Sequence, residues 1–332
     1  MTSRHAPTVS VIIPNWNCAP WLPETMQSLL QQTSPADEII IIDDGSTDES
    51  VSWLTAFAAA HPQVTLLSGN RGGVSAARMK GMAVATGDFI YFMDADDFIS
   101  ADLFADFRRA QAQHNELELF CFGAKMFFDV PEPQRHYQTI HQRHVSGLFS
   151  GGSESLRTLI QHQSAHRVIW SSIISRQLIE RLGLSFLPIQ NHEDAPFMFA
   201  LYMQAHSFYC TSESYYYKRF MLSSLSQSTR DFSWIKNYFI ARDSSEAFLR
   251  AHQLPQDDAL LDDYYQTIMH GCLAQIRKHR IRVPAEWQPR VNALVRRVLR
   301  HNTRLKLLWY CPPLYHGLQA CRNRLSRYSS RR

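Results

Sequence analysis

Three carboxylates, Asp94, Asp96 and Asp97, close the apolar run Phe89 to Met93. Acids this close at a strand end repel one another and favour a cation. Mg²⁺ and Mn²⁺ take oxygen ligands, usually one or two carboxylates plus substrate phosphates, so Asp-x-Asp can hold a metal–phosphate ligand there. The same residues suit a solvated acidic turn capping the next helix, and the motif alone is too short to choose. A second acid pair, Glu193-Asp194, stands just before an apolar helical pattern carrying Phe197, where acids complement the helix dipole. His141 and His144, or His162 and His166, have spacings a zinc ion could use, but no third ligand accompanies them, and solvated histidines are the plainer reading.

The elements that must position these acids can be read in order. Thr8 to Ile13 is an apolar, β-branched strand stopped by Pro14-Asn15-Trp16-Asn17. Leu22, Met26, Leu29 and Leu30 recur at helical spacing, and that helix ends before Ser34-Pro35. Glu38 to Ile42 is a second strand ending in Asp43-Asp44-Gly45, and Ser46 to Glu49 has the Ser-x-x-Glu spacing of a capping box that would start the next helix. Val64 to Leu67 is a third strand. Gly69 to Gly73 is a loop that brings backbone amides close to a ligand, and Val74 to Ala85 is a helix presenting Arg78. Four strands alternating with three helices predict a mostly parallel sheet with ligands beyond the strands' carboxyl ends. Asn15, Asp44, Arg78, Asp94 and Asp96 would share that edge. Further on, Leu117 to Phe122 and Lys125 to Phe128 read as more sheet, and the chain is helical from about Asp231.

The series V-S-V-I-I-P-N-W-N, E-I-I-I-I-D-D-G-S-T-D, N-R-G-G-V-S-A-A-R and G-D-F-I-Y-F-M-D-A-D-D resembles, over about the first 100 residues, the nucleotide-binding half of bacterial family 2 glycosyltransferases. The resemblance implies an α/β GT-A, Rossmann-like fold, a mostly parallel central sheet flanked by helices with a helical, basic C-terminal extension. It divides the chain into a glycosyltransferase domain over 1–230, with a nucleotide-sugar half (1–100) and an acceptor half (101–230), and a helical region over 231–332. It implies a donor site of Pro14, Asn15, Trp16, Asn17, Asp44, Arg78, Asp94, Ala95 and Asp96. Asp44 would meet the base, Arg78 the diphosphate region, and Asp94-x-Asp96 the ribose and the metal. Asp96 would be the Mn²⁺ or Mg²⁺ ligand, with Asp97 as a second. Glu193, Asp194 and Phe197 match the family's E-D-x-x-F motif, which makes Asp194 the catalytic base and Glu193 its support or an acceptor contact. Tyr215 to Arg219, followed by Ser223 to Ser226, resembles the closing strand and flexible loop, with Lys218 or Arg219 meeting the diphosphate. The chain departs from the family at Met79, where Asn is common, and at Trp16, where Tyr is frequent.

The implied reaction is inverting transfer of a sugar from a nucleotide-diphosphate donor, UDP-linked, to a hydroxyl of a glycan or lipid-linked glycan acceptor in surface polysaccharide or lipopolysaccharide synthesis. Two other classes share features. A nucleotidyltransferase acting on sugar phosphates would carry a Gly-rich phosphate loop after the first strand, where this chain has P-N-W-N; a non-catalytic nucleotide-sugar-binding scaffold would be expected to lose the base.

Hydrophobic residues at 45% and charged residues at 19% of 332 fit a globular protein, and neither a bilayer-length apolar run nor an N-terminal apolar signal stands out. Six scattered cysteines without C-x-x-C spacing fit a reducing cytoplasm. The net charge of +4 conceals a basic end: from Arg277 to Arg332 the balance is +14, with Glu286 as the single acid, against −10 for the rest. Leu294, Val295, Val298, Leu299, Leu305, Leu307, Leu308, Trp309 and Tyr310 interleave with these charges. This tail suits the anionic inner face of a cell membrane, or a helix packed on the body with its charges solvated. No motif supports nucleic-acid binding.

Overall fold

A computed structural model describes residues 6–114, 116–132, 134–220, 231–301, 306 and 309–311. The chain divides into two compact units, Met1–Leu225 with Ser244–Gln256, and Ser226–Asp243 with Asp257–Arg332.

In the first unit, β1 (Val9–Asn15), α1 (Leu22–Leu30), β2 (Glu38–Asp43), α2 (Ser50–Ala60), β3 (Val64–Ser68), α3 (Val74–Val84) and β4 (Phe89–Phe92) follow the strand–helix alternation expected from the sequence. Then come β5 (Phe98–Ile99), α4 (Leu103–Gln113), β6 (Leu119–Phe128), β7 (Gln138–Ile140), β8 (Gly147–Phe149), α5 (Ser153–Gln161), β9 (Ser172–Ser175), α6 (Arg176–Arg181), α7 (Asp194–Gln204) and β10 (Phe208–Phe220). One sheet runs β3-β2-β1-β4-β9-β6-β10-β5, with β7 on β6 and β8 on β10. The first four strands are parallel, β9 is antiparallel to both its neighbours, and β6 and β10 are again parallel. The strand order reverses between β1 and β4, the point at which open parallel sheets bind ligands beyond the strands' carboxyl ends.

β1 and β2 are near-continuous apolar runs because both faces of the sheet are covered: Val9, Val11, Ile12, Ile13 and Ile39 to Ile42 are all buried. Helix α3 reaches that sheet through Gly81, where an added Cβ would stand 2.4 Å from Ile12 Cγ2 and 2.9 Å from Ile42 Cδ1. Two sequence expectations fail locally. Ser46 does not cap α2, which begins at Ser50; its Oγ accepts from the Asn17 N–H at 2.9 Å and from Asn15 Nδ2 at 3.2 Å. Asp48 instead accepts the Ser50 N–H at 3.0 Å. The two expected pieces of sheet after α4 are one ten-residue strand, β6, carried through Gly123 by its pairing with β10.

The second unit holds α9 (Asp258–Lys278) and α10 (Gln288–His301), and α8 (Phe232–Ala251) contributes its first residues to it. Asp257 caps α9 by accepting the Leu260 N–H at 2.9 Å. Arg242 donates to Asp258 and Asp262, and Arg290 to Asp243. The amphipathic pattern of α10 is used for packing: Val291, Leu294, Val295, Val298 and Leu299 are buried. Four of the apolar tail residues considered for a membrane are therefore covered by protein, because burial against neighbouring helices removes them from water just as a bilayer would. Trp309 is half-buried and Tyr310 exposed, while Leu305, Leu307 and Leu308 lie outside the described residues, as does the Ser223 to Ser226 loop. Among the described residues no helix is long and apolar enough to cross a membrane.

Candidate active site

The carboxyl ends of β1, β2 and β4 place three polar loops side by side. After β1, Asn15 is buried and donates from Nδ2 to Asp43 at 2.8 Å, leaving its Oδ1 without a partner among the described residues. Pro14 sits in the strand opposite Ile42, and Asn17 adopts a left-handed φ of 54° that lets its Oδ1 accept the Thr47 N–H at 2.7 Å. The Arg71 guanidinium lies over the Trp16 ring, 3.8 Å from its centroid. Asp44, expected at the base, has both oxygens engaged by the Gly72 and Gly73 amides at 2.7 Å. It shapes the glycine loop that leads into α3, where Gly73 takes φ 85°.

From that helix Arg78 joins the two acid constellations. Its Nη1 donates to Asp194 at 2.7 Å and to Glu193 at 3.1 Å, and its Nη2 to Asp94 at 3.4 Å. The guanidinium is buried and lies over the Phe186 ring. One cation thus holds together acids 100 residues apart in sequence, at the β4 end and at the start of α7.

Asp194 receives a second hydrogen bond, from the Ile169 N–H at 3.1 Å. Burial raises its pKa and outweighs Arg78 and that amide, which pull it down. Glu193 is pushed up to about 7 by burial and by the neighbouring Asp194 charge.

Around β4 the three aspartates differ in surroundings. Oxygens of Asp94, Asp96 and Asp97 lie within 4.8 Å of one another. Asp97, expected as a second metal ligand, is fully buried and accepts three hydrogen bonds: from Tyr216 Oη at 2.6 Å, Lys218 Nζ at 3.1 Å and the Arg219 N–H at 2.6 Å. Asp94 takes Lys218 as well as Arg78, and these cations overcome burial to hold it below the usual carboxylate range. Asp96 is pushed up to about 7 by burial and by Asp97 and Asp94. A half-buried carboxylate so placed gains from a bound cation, and it fits a hard divalent ion that keeps its other positions for phosphate oxygens. Ala95 is buried, its carbonyl accepting from Thr25 Oγ1 at 2.9 Å.

Lys218 and Arg219, paired in the sequence reading, part company because alternate strand residues face opposite ways. Lys218 points to the aspartates. Arg219 donates to the Asp96 carbonyl at 2.8 Å and to Glu24 and Asp129, so its guanidinium is committed to tying α1 and the end of β6 to the aspartate turn. Sequence reasoning missed Tyr216, Trp170 and the Ile169 amide. Trp170 stacks on Tyr216 with centroids 4.3 Å apart, and Lys218 Nζ lies 5.6 Å from its ring. A tyrosine in a Tyr-Tyr-Tyr run and a lone tryptophan carry no spacing signal; only the pairing of β10 and β9 on either side of β6 brings Tyr216 and the turn before β9 together here. His141 packs against His166 and Trp170 instead of pairing with His144.

A parallel sheet with its acid cluster at the strand-order reversal, joined to a later helix by a buried arginine, is the GT-A architecture. Residues 10–183, more than half of the chain, match the Glycosyl transferase family 2 model, and the chain belongs to that family. It is 29% identical over 225 residues to the uncharacterized glycosyltransferase EpsJ of Bacillus subtilis, covering 67% of this chain and 63% of that one. It is 33% identical over 187 residues to the uncharacterized glycosyltransferase YibD of Escherichia coli, covering 56% and 54%. The chain thus spans less than two thirds of these relatives' length. Among solved structures, residues 1–349 of S. aureus TarS share the fold with a TM-score of 0.61 at 18% identity, over 91% of this chain and 86% of that one.

Proposed function

We propose that this chain is a metal-dependent, inverting glycosyltransferase that moves a sugar from a nucleotide-diphosphate donor to a hydroxyl of a glycan acceptor in bacterial surface polysaccharide synthesis. The observation that carries the reading is the Arg78 bridge, which sets Asp194 beside the Asp94–Asp96 donor cluster.

In this reaction Asp194 takes the proton of the acceptor hydroxyl, a general-base role worth roughly 10² to 10⁴ in rate. The freed oxygen forms its bond to the anomeric carbon as the bond from that carbon to the diphosphate breaks, and attack from the opposite face inverts the centre. Arg78 and the Ile169 N–H fix the direction of the Asp194 carboxylate. Lys218, held by Asp94 and Asp97, keeps a positive charge at the donor cluster. Asp96 would hold the divalent ion, and the chemistry such an ion supplies when bound is neutralisation of charge on the departing diphosphate, worth several kcal/mol.

TarS has been crystallised with UDP and with UDP-GlcNAc, and UDP-GlcNAc is accordingly the first donor to try among a panel of nucleotide sugars. With the best donor, Asp194→Asn is expected to lose UDP release while donor affinity stays within about threefold; full turnover in that variant would remove Asp194 from the base role.

A further inference from the structure

On β10, Tyr216 and Lys218 both reach Asp97, so the two-residue period of a strand puts Phe220 on that same face, about 7 Å beyond Lys218. The register extends this face across two more strands. Lys218 lies opposite Met126 of β6, Met126 opposite Gln138 of β7, and Phe220 opposite Phe128. The Phe128 and Phe220 rings meet edge to face with centroids 5.1 Å apart. Phe128 is 53% exposed, Gln138 is exposed, and Met126 and Phe220 are half-buried. An exposed ring such as Phe128 beside a half-buried one leaves apolar surface in water that a ligand could cover favourably.

We infer that Met126, Phe128, Phe220 and Gln138 form a subsite for an inner sugar of a saccharide acceptor, an assignment that rests on the glycosyltransferase reading above. The strip is continuous with the donor cluster through Lys218. Its chemistry suits a sugar ring, whose C–H face lies on aromatic carbon while its hydroxyl edge meets an amide such as that of Gln138. Phe220 stands one strand repeat, about 7 Å, beyond Lys218, so an acceptor long enough to run past the donor cluster would lay an inner unit on the strip. The enzyme would then favour oligosaccharide over monosaccharide acceptors.

The test uses the full-length protein, with UDP and Mn²⁺, on a printed array of bacterial surface oligosaccharides, and measures UDP affinity in parallel. Wild type is expected to retain a saccharide that Phe128→Ala binds at least tenfold more weakly, that Phe128→Trp binds nearly as well, and UDP affinity should be the same in all three. Retention in Phe128→Ala within twofold of wild type, or no retained saccharide by wild type that binds UDP, overturns the subsite. Binding to phosphatidylglycerol vesicles that Phe128→Ala abolishes would give the strip to a membrane and also overturn it. Failure of wild type to bind UDP or any nucleotide sugar would sink the donor-site reading, and the subsite with it.

Discussion

Replacing Arg78 by Met removes the one cation that three carboxylates share while keeping most of the side-chain volume. Arg78 is 4% exposed, and its guanidinium pairs with Asp194, Glu193 and Asp94 at 2.7, 3.1 and 3.4 Å. Breaking a buried pair by deleting one partner costs about 3 to 5 kcal/mol, because the remaining charge stays buried without compensation. At roughly 2 to 4 °C per kcal/mol for a domain of this size, Tm should fall by about 6 to 20 °C. The rate effect has a definite pH sign. Burial already raises the Asp194 pKa, and Arg78 is the main influence holding it down. Without Arg78 the Asp194 pKa rises further, so less of the carboxylate is ionised at a given pH and able to accept a proton. UDP release at pH 7 should therefore drop toward the loss of general-base catalysis, about 10² to 10⁴-fold. Activity should recover as pH rises and the carboxylate ionises. Arg78→Lys, which keeps the charge but not the fork, should fall between the two. The assay is UDP release against pH with thermal unfolding alongside. A folded Arg78→Met enzyme whose acid limb coincides with wild type would refute this account of Arg78.

Other consequences are testable with the same preparations. Glu193 has a folded pKa of about 7 against an ordinary 4.5. The stability it contributes is thus complete below pH 4.5 and lost as pH rises through 7. Glu193→Gln does not titrate, so its stability relative to wild type should improve from pH 4.5 to 8, by at most about 3 kcal/mol; a difference that ignores pH would contradict the assigned shift. Asp96→Asn should reduce donor affinity in the presence of Mn²⁺ at least tenfold and leave metal-free affinity nearly unchanged, as read by titration calorimetry; equal Mn²⁺ enhancement in both proteins would exclude Asp96 as the ligand. Gly81→Ala pushes a methyl into Ile12 and Ile42, and should cost about 1 to 3 kcal/mol in urea unfolding. A neutral result there would mean that α3 can lift from the sheet without loss.

What the linear chain determined is the alternation of elements in the first hundred residues and the chemical type of the groups at their ends. Apolar runs such as Ile39 to Ile42 must be buried on both faces. The polar residues that terminate such runs then have to share one edge, because parallel strands all point the same way. Asp94 and Asp96 were legible for that reason, and Arg78 because the helix that carries it follows the loop at that same edge. The later half was less so, because β9 and β10 arrive from distant sequence and their facing depends on pairing with β6 that no local period encodes.

Tertiary structure alone decided the surroundings of each acid. It buried Asp97 under Tyr216, Lys218 and the Arg219 amide and left Asp96 half-exposed. It turned Arg219 away toward Glu24 and Asp129, and drew Ser46 from its expected cap to the loop after β1. Electrostatic role depends on the distance and burial of charges brought together by the fold. For these neighbouring aspartates the sequence supplied the groups, and folding supplied the environments that make one an anchor and another a candidate ligand.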